Sequence, residues 1–103
     1  MHENIEWNEC EGYIYPGKFI GPDNILNNMF SKIGEDWDNY EVELLDIYDA
    51  GSTIISKGFY NGNYKKTGKK MHSLFAHFWT FENGKLIHFQ QVCDTVKVME
   101  TIR

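Results

Sequence analysis

At the start of the chain apolar and polar positions alternate. In residues 4–9, Ile5, Trp7 and Glu9 fall on one side, the two-residue period of a strand with one buried face. Glu9 is then a charge pointing where apolar groups point. Residues 10–20, rich in glycine and aromatics and holding Pro16-Gly17, read as a loop with a short edge strand. Gly21-Pro22-Asp23 has the chemistry of a helix start: proline loses no hydrogen bond at the first helical position, and Asp23 complements the positive end of the helix dipole. Ile25, Leu26, Met29, Phe30 and Ile33 then recur at helical spacing on one stripe, with Gly34 as the expected stop.

From Tyr40 the period switches to two, predicting strands at residues 40–49, 52–61, 70–81 and 85–94. Asp49-Ala50-Gly51 and Glu82-Asn83-Gly84 supply tight turns, and residues 62–69 a longer polar hairpin tip. The last nine residues fit a strand tail or, better, a short helix. Together these elements predict an α+β fold in a single domain, residues 1–103: one strongly curved, antiparallel-rich sheet packed by one main helix.

The loop at residues 82–84 decides which side chains share a face, because loops of two and three residues differ by one in register. Asn83-Gly84 alone favours two; a three-residue loop with Gly84 in the left-handed position of a bulge groups Phe75, His77, Trp79 and Phe81 with Ile87, Phe89, Gln91 and Cys93. The opposite face carries Leu74, Ala76, Phe78 and Thr80 with Leu86, His88, Gln90 and Val92. That face is mixed but too apolar for full exposure, and is expected to be a subunit interface. On the aromatic face His77, Gln91 and Glu9 need partners if buried. They form either a ligand site or a satisfied core network.

Composition narrows the partners. With 42% hydrophobic residues, a formal charge of −5 and a pI near 5.2, the chain lacks the basic surface a nucleic acid would require. Its one basic cluster, Lys65, Lys66, Lys69 and Lys70, reads as a solvated hairpin tip. Cys10 and Cys93 form no CxxC pair and are expected to be packing residues, and the four histidines lack metal-ligand spacing, so neither metal nor cofactor is expected. No leader-like segment and no run of about 18 apolar residues is present. The expectation is a soluble, cytoplasmic chain with reduced thiols and no membrane partner.

Trp7-Asn8-Glu9, Gly21-Pro22-Asp23, Gly34-Glu35-Asp36-Trp37, Asp49-Ala50-Gly51, Thr67-Gly68-Lys69, Ala76-His77-Phe78-Trp79, Asn83-Gly84-Lys85 and Asp94-Thr95 occur in an order that resembles the SnoaL-like, ketosteroid-isomerase-related branch of the nuclear-transport-factor-2-like superfamily. The likeness spans nearly the whole chain. It implies a cone-like half-barrel (a cystatin-like roll) closed by helices, a homodimer or higher homo-oligomer through the outer sheet face, and a pocket for a small apolar ligand. The pocket residues implied are Trp7, Phe30, Lys57, Phe59, Phe75, Trp79, Phe89 and Gln91. Relatives begin with a helical lid, whereas this chain begins at what resembles their first pocket strand. A cone truncated at its N-terminus is therefore expected, its mouth covered by an oligomer.

The resemblance names no reaction. Where epoxide-hydrolase relatives place an arginine and two carboxylates, the matching positions here are Lys57, Phe59 and Gln91, and neither a phenyl ring nor an amide transfers protons. The full acidic set of the isomerase relatives is also missing. What remains is His77, poised by Glu9 or Gln91, exchanging a proton with a small carbonyl or hydroxyl compound in isomerase, cyclase or dehydratase-type chemistry. A non-catalytic small-molecule binder and an assembly domain are the alternatives. Asp94 is expected to be a structural cap.

Overall fold

The computed structural model describes residues 1–103. Six strands form one sheet in the order β2-β1-β6-β5-β4-β3, comprising β1 (Glu6–Glu9), β2 (Gly17–Ile20), β3 (Trp37–Ala50), β4 (Thr53–Tyr64), β5 (Lys70–Glu82) and β6 (Lys85–Cys93). All neighbours are antiparallel except β1 and β6, which run parallel with Trp7 opposite Phe89. The architecture is α+β, as the periodicity predicts.

The helix begins at Pro22, with Gly21 before it at φ 86°, but does not stop at Gly34. It runs as α1 (Pro22–Ile25), a π-helical turn (Leu26–Phe30) and α2 (Ser31–Asp36), and Trp37 ends it by turning extended into β3. The wider π turn rotates the apolar stripe, so Ile25 and Met29 are sealed in the core while Leu26 is exposed. Phe30 still reaches the sheet, meeting Trp7 edge to face at 5.3 Å between ring centroids. At the other end α3 (Thr95–Ile102) buries Val98, and Asp94 caps it by accepting from the Lys97 amide at 3.3 Å.

The β5–β6 turn corrects the loop expected at residues 82–84. Glu82 pairs with Lys85, leaving a two-residue loop, with Asn83 at φ 51° and Gly84 at φ 76°. One extra residue, Ile87, then bulges between Leu86 and His88, because Thr80 pairs with His88 and Phe81 with Leu86. Loop and bulge together produce the same register further on: Trp79 faces Phe89, His77 faces Gln91 and Phe75 faces Cys93. Between bulge and turn the parity is reversed, so Leu86 opposes Phe81 and is buried, whereas Ile87 is only half-buried.

On β4 the residues sharing the inner face with His77 are Ile54, Ser56, Gly58, Tyr60 and Gly62, and Tyr64 continues the alternation. Gly58 is a close approach: a Cβ there would overlap the Glu43 carbonyl and stand 3.0 Å from the Phe75 ring. Beside it β3 shifts register between Leu44 and Asp46.

Candidate functional site

Aromatic rings from four strands and the helix build the inner face. Trp7 stacks on Phe89 at 3.7 Å between centroids, Phe75 stacks on Tyr60 at 4.6 Å and on His77 at 4.1 Å, and Trp79 meets Phe89 at 4.6 Å. Trp79 also donates its indole N–H to Ser56 Oγ at 3.0 Å. Rings packed this closely leave little freedom to the polar groups set among them.

Those polar groups form one directed chain. The Cys10 amide donates to Gln91 Oε1 at 3.1 Å, and a backbone N–H can only donate, which fixes the orientation of the Gln91 amide. Gln91 Nε2 then donates to the Tyr60 hydroxyl at 3.2 Å. The Tyr60 hydroxyl is bonded in turn to His77 Nε2. When Tyr60 donates to Nε2, the Gln91 amide, the Tyr60 hydroxyl and Nε2 are all paired, and His77 is a neutral imidazole protonated on Nδ1. Burial acts in the same direction, lowering the His77 pKa from 6.5 to about 3.

Of the two groups expected to poise His77, Gln91 reaches it through Tyr60, whereas Glu9 is bonded elsewhere. Glu9 takes the Trp7 indole N–H on Oε1 at 2.8 Å, and its buried Oε2 has no partner. Burial raises Glu9 from 4.5 to about 7, opposed only by the Trp7 bond. Tyr13, Tyr40 and Tyr60 are held above the ordinary phenol range, chiefly by burial and partly by the Glu9 charge.

Two pocket residues implied by the resemblance lie elsewhere. Lys57 pairs with Ala76 on the outer face and forms a salt bridge with Asp46 at 3.3 Å. Phe59, on the same face, stacks on His72 at 3.9 Å between centroids. Strand parity is the reason: Ser56 opposes His77, so its neighbour Lys57 must point the other way. Trp7, Phe30, Phe75, Trp79, Phe89 and Gln91 do meet on the inner side. Tyr60 and Ser56 join them without having been expected there, although the alternation in Ser56-Lys57-Gly58-Phe59-Tyr60 is the signal that places both on this face.

An open apolar concavity of about 480 Å³ lies over this face, with His77 and Ser56 set among Phe75, Trp79, Phe81 and Ile54. Its β3 wall is Val42, Leu44 and Ile47, which are 50%, 52% and 63% exposed. Nδ1 of His77 has no protein partner and is not sealed from solvent, since Glu9 Oε2 is the sole buried unpartnered side-chain polar atom. No group of three or more His, Cys, Asp or Glu is arranged to hold a metal ion. No helix is long and apolar enough to cross a membrane.

The geometry is that of a known scaffold. A nuclear-transport-factor-2-like protein from Burkholderia thailandensis superimposes with a TM-score of 0.97 at 38% identity, over 100% of this chain and 79% of that one. The chain belongs to the nuclear-transport-factor-2-like family. Two more distant members of the fold are similar in shape. TerC, co-crystallised with polyporic acid, gives a TM-score of 0.86 at 23% identity over 99% of this chain and 79% of its own. A SnoaL-like polyketide cyclase from Jannaschia gives 0.80 at 14% identity, over 99% and 72%. No protein-family model and no curated protein matches the chain. Membership of the nuclear-transport-factor-2-like family establishes the scaffold and leaves the activity to the residues.

Proposed function

We propose that this chain binds a small, largely apolar molecule bearing a carbonyl or hydroxyl oxygen, and that the Nδ1–H of His77 donates to that oxygen. The observation that carries the reading is the chain from the Cys10 amide through Gln91 and Tyr60 to His77 Nε2, which leaves Nδ1 as the unbonded nitrogen of a residue that lines the concavity. A neutral imidazole in that tautomer is a hydrogen-bond donor, and with its pKa lowered to about 3 it is a poor base at neutral pH. Apolar walls supply affinity and one fixed donor supplies orientation, the usual division in small-molecule sites. TerC, of the same fold, was co-crystallised with polyporic acid, which supports the scaffold as one that can hold an organic molecule.

A catalytic reading, proton transfer of the isomerase, cyclase or dehydratase kind, has one observation in its favour. Glu9, with its pKa of about 7 and an unpartnered oxygen, is suited to exchanging a proton at neutral pH. It does not line the concavity, however, so binding is the primary reading.

Calorimetric titration with matched pairs of aromatic ketones and their hydrocarbon analogues tests the proposal. The ketone is expected to bind roughly 2–10-fold more tightly, the value of one neutral hydrogen bond, and His77→Phe is expected to erase that preference while retaining the apolar contribution. Equal affinity for ketone and hydrocarbon, or a preference that survives His77→Phe, contradicts it.

A further inference from the structure

Cys10 and Cys93 are 83 residues apart in sequence, yet their sulfurs stand 3.7 Å apart. The parallel pairing of β1 and β6 brings them together: Asn8 lies opposite Gln90, Cys10 follows the end of β1, and Cys93 is the last residue of β6. Both are partly exposed, and neither takes part in the ligand contacts proposed above. A disulfide has an S–S distance of about 2.05 Å, so the sulfurs must close by roughly 1.7 Å. Cys10 lies beyond the paired residues of β1, where side-chain rotation and a small backbone movement can supply that.

We propose that Cys10 and Cys93 form a reversible dithiol–disulfide couple, a modification site whose oxidant is a low-molecular-weight disulfide of the glutathione type. Cys10 attacks first. Its thiolate displaces one glutathione thiolate, which takes up the proton Cys10 gave to solvent, and a mixed disulfide forms on Cys10. Cys93 then loses its proton, attacks the Cys10 sulfur, forms the Sγ–Sγ bond and releases the second glutathione, which is protonated in its turn. Two protein thiols are oxidised by two electrons, and one glutathione disulfide is reduced to two thiols.

The order follows from the surroundings. Burial and the adjacent Cys10 hold the Cys93 thiol well above its usual pKa, which suits it to the second step, where the target sulfur is already beside it. The bond would close a long loop and tie β1 to β6 where the Cys10 amide supports Gln91.

The full chain, reduced and then equilibrated in glutathione buffers of increasing oxidation, is quenched by alkylation and read by intact mass and peptide mapping. The expected product has lost two hydrogens, carries no alkyl group and yields a cross-linked peptide containing Cys10 and Cys93. Its melting temperature is expected to exceed that of the reduced chain and to return on adding dithiothreitol. Cys10→Ser and Cys93→Ser should each stop at one glutathione adduct or one free thiol. Two alkylatable thiols in the most oxidising buffer, or two separate glutathione adducts on the wild-type chain, overturn the proposal. The mapping uses no ligand and needs no variant to fold, so its outcome is independent of the binding titration.

Discussion

The hydroxyl of Tyr60 on β4 is bonded to Nε2 of His77 on β5, and this one contact decides which nitrogen of the imidazole is left for a ligand. Its importance lies in what stands behind it, an amide fixed by a backbone N–H and rings that hold both residues in place.

Tyr60→Phe keeps the ring stacked on Phe75 and removes only the bridge. Gln91 Nε2 and His77 Nε2 then lose their partner inside the fold. A loss of about 1–3 kcal/mol in unfolding free energy is expected, the cost of leaving buried polar groups unpaired. Urea denaturation measures it; a loss below about 0.5 kcal/mol would show that the bridge is replaced by other partners.

Glu9 and His77 impose opposite pH dependences. Burial raises Glu9 from 4.5 to about 7, so its contribution to stability is fully present below pH 4.5 and is lost as pH rises through 7. His77, lowered from 6.5 to about 3, contributes stability that is present above pH 6.5 and lost as pH falls toward 3. Between about 4.5 and 6.5 the two slopes oppose, and a flat stability profile is expected there. Glu9→Gln removes the neutral-side loss. Relative to wild type it should gain on the order of 3 kcal/mol between pH 4.5 and 8, the linkage value of that shift. Denaturant curves at pH 4.5, 6 and 8 read the gap, and a difference independent of pH would contradict the Glu9 assignment.

Gly58→Ala tests the close approach of β3 to β4. The added methyl meets a backbone carbonyl that cannot rotate away, and behind it the Phe75 ring. Destabilisation of about 1–3 kcal/mol or more is expected from overpacking, visible as a lower denaturation midpoint. An unchanged midpoint would show that β3 shifts freely at its bulge.

Asp94→Ala removes the side-chain cap of α3, and about 1 kcal/mol is expected to go with it. Thermal unfolding reads the loss. No loss would mean that α3 is held without its cap, by the burial of Val98 and Thr101 and the Thr67 bond to the Thr101 carbonyl.

The sequence made the inner face legible where two strands meet by a local turn, and obscured it where they do not. Phe75, His77, Trp79, Phe89 and Gln91 could be grouped because the Asn83-Gly84 turn lies between their strands. Even there a two-residue loop with a bulge at Ile87 mimicked a three-residue loop, and only Leu86 and Ile87 exposed the difference. Gly34 looked like a helix stop because glycine often ends helices, but the π turn and Trp37 moved the end two residues further. Likeness to relatives points Lys57 and Phe59 inward, against the parity of their own strand. Tyr60 was missed because its partners, His77 and Gln91, lie 17 and 31 residues away and no local pattern links them. The nearness of Cys10 and Cys93 depends on the parallel pairing of β1 with β6, which alternation within either strand does not encode.

The donor role of His77 is most directly tested by nitrogen-15 NMR of the imidazole at pH 7. A neutral ring protonated on Nδ1 is expected, with Nε2 accepting a hydrogen bond that disappears in Tyr60→Phe. A ring protonated on Nε2, or a positively charged ring at that pH, would contradict it.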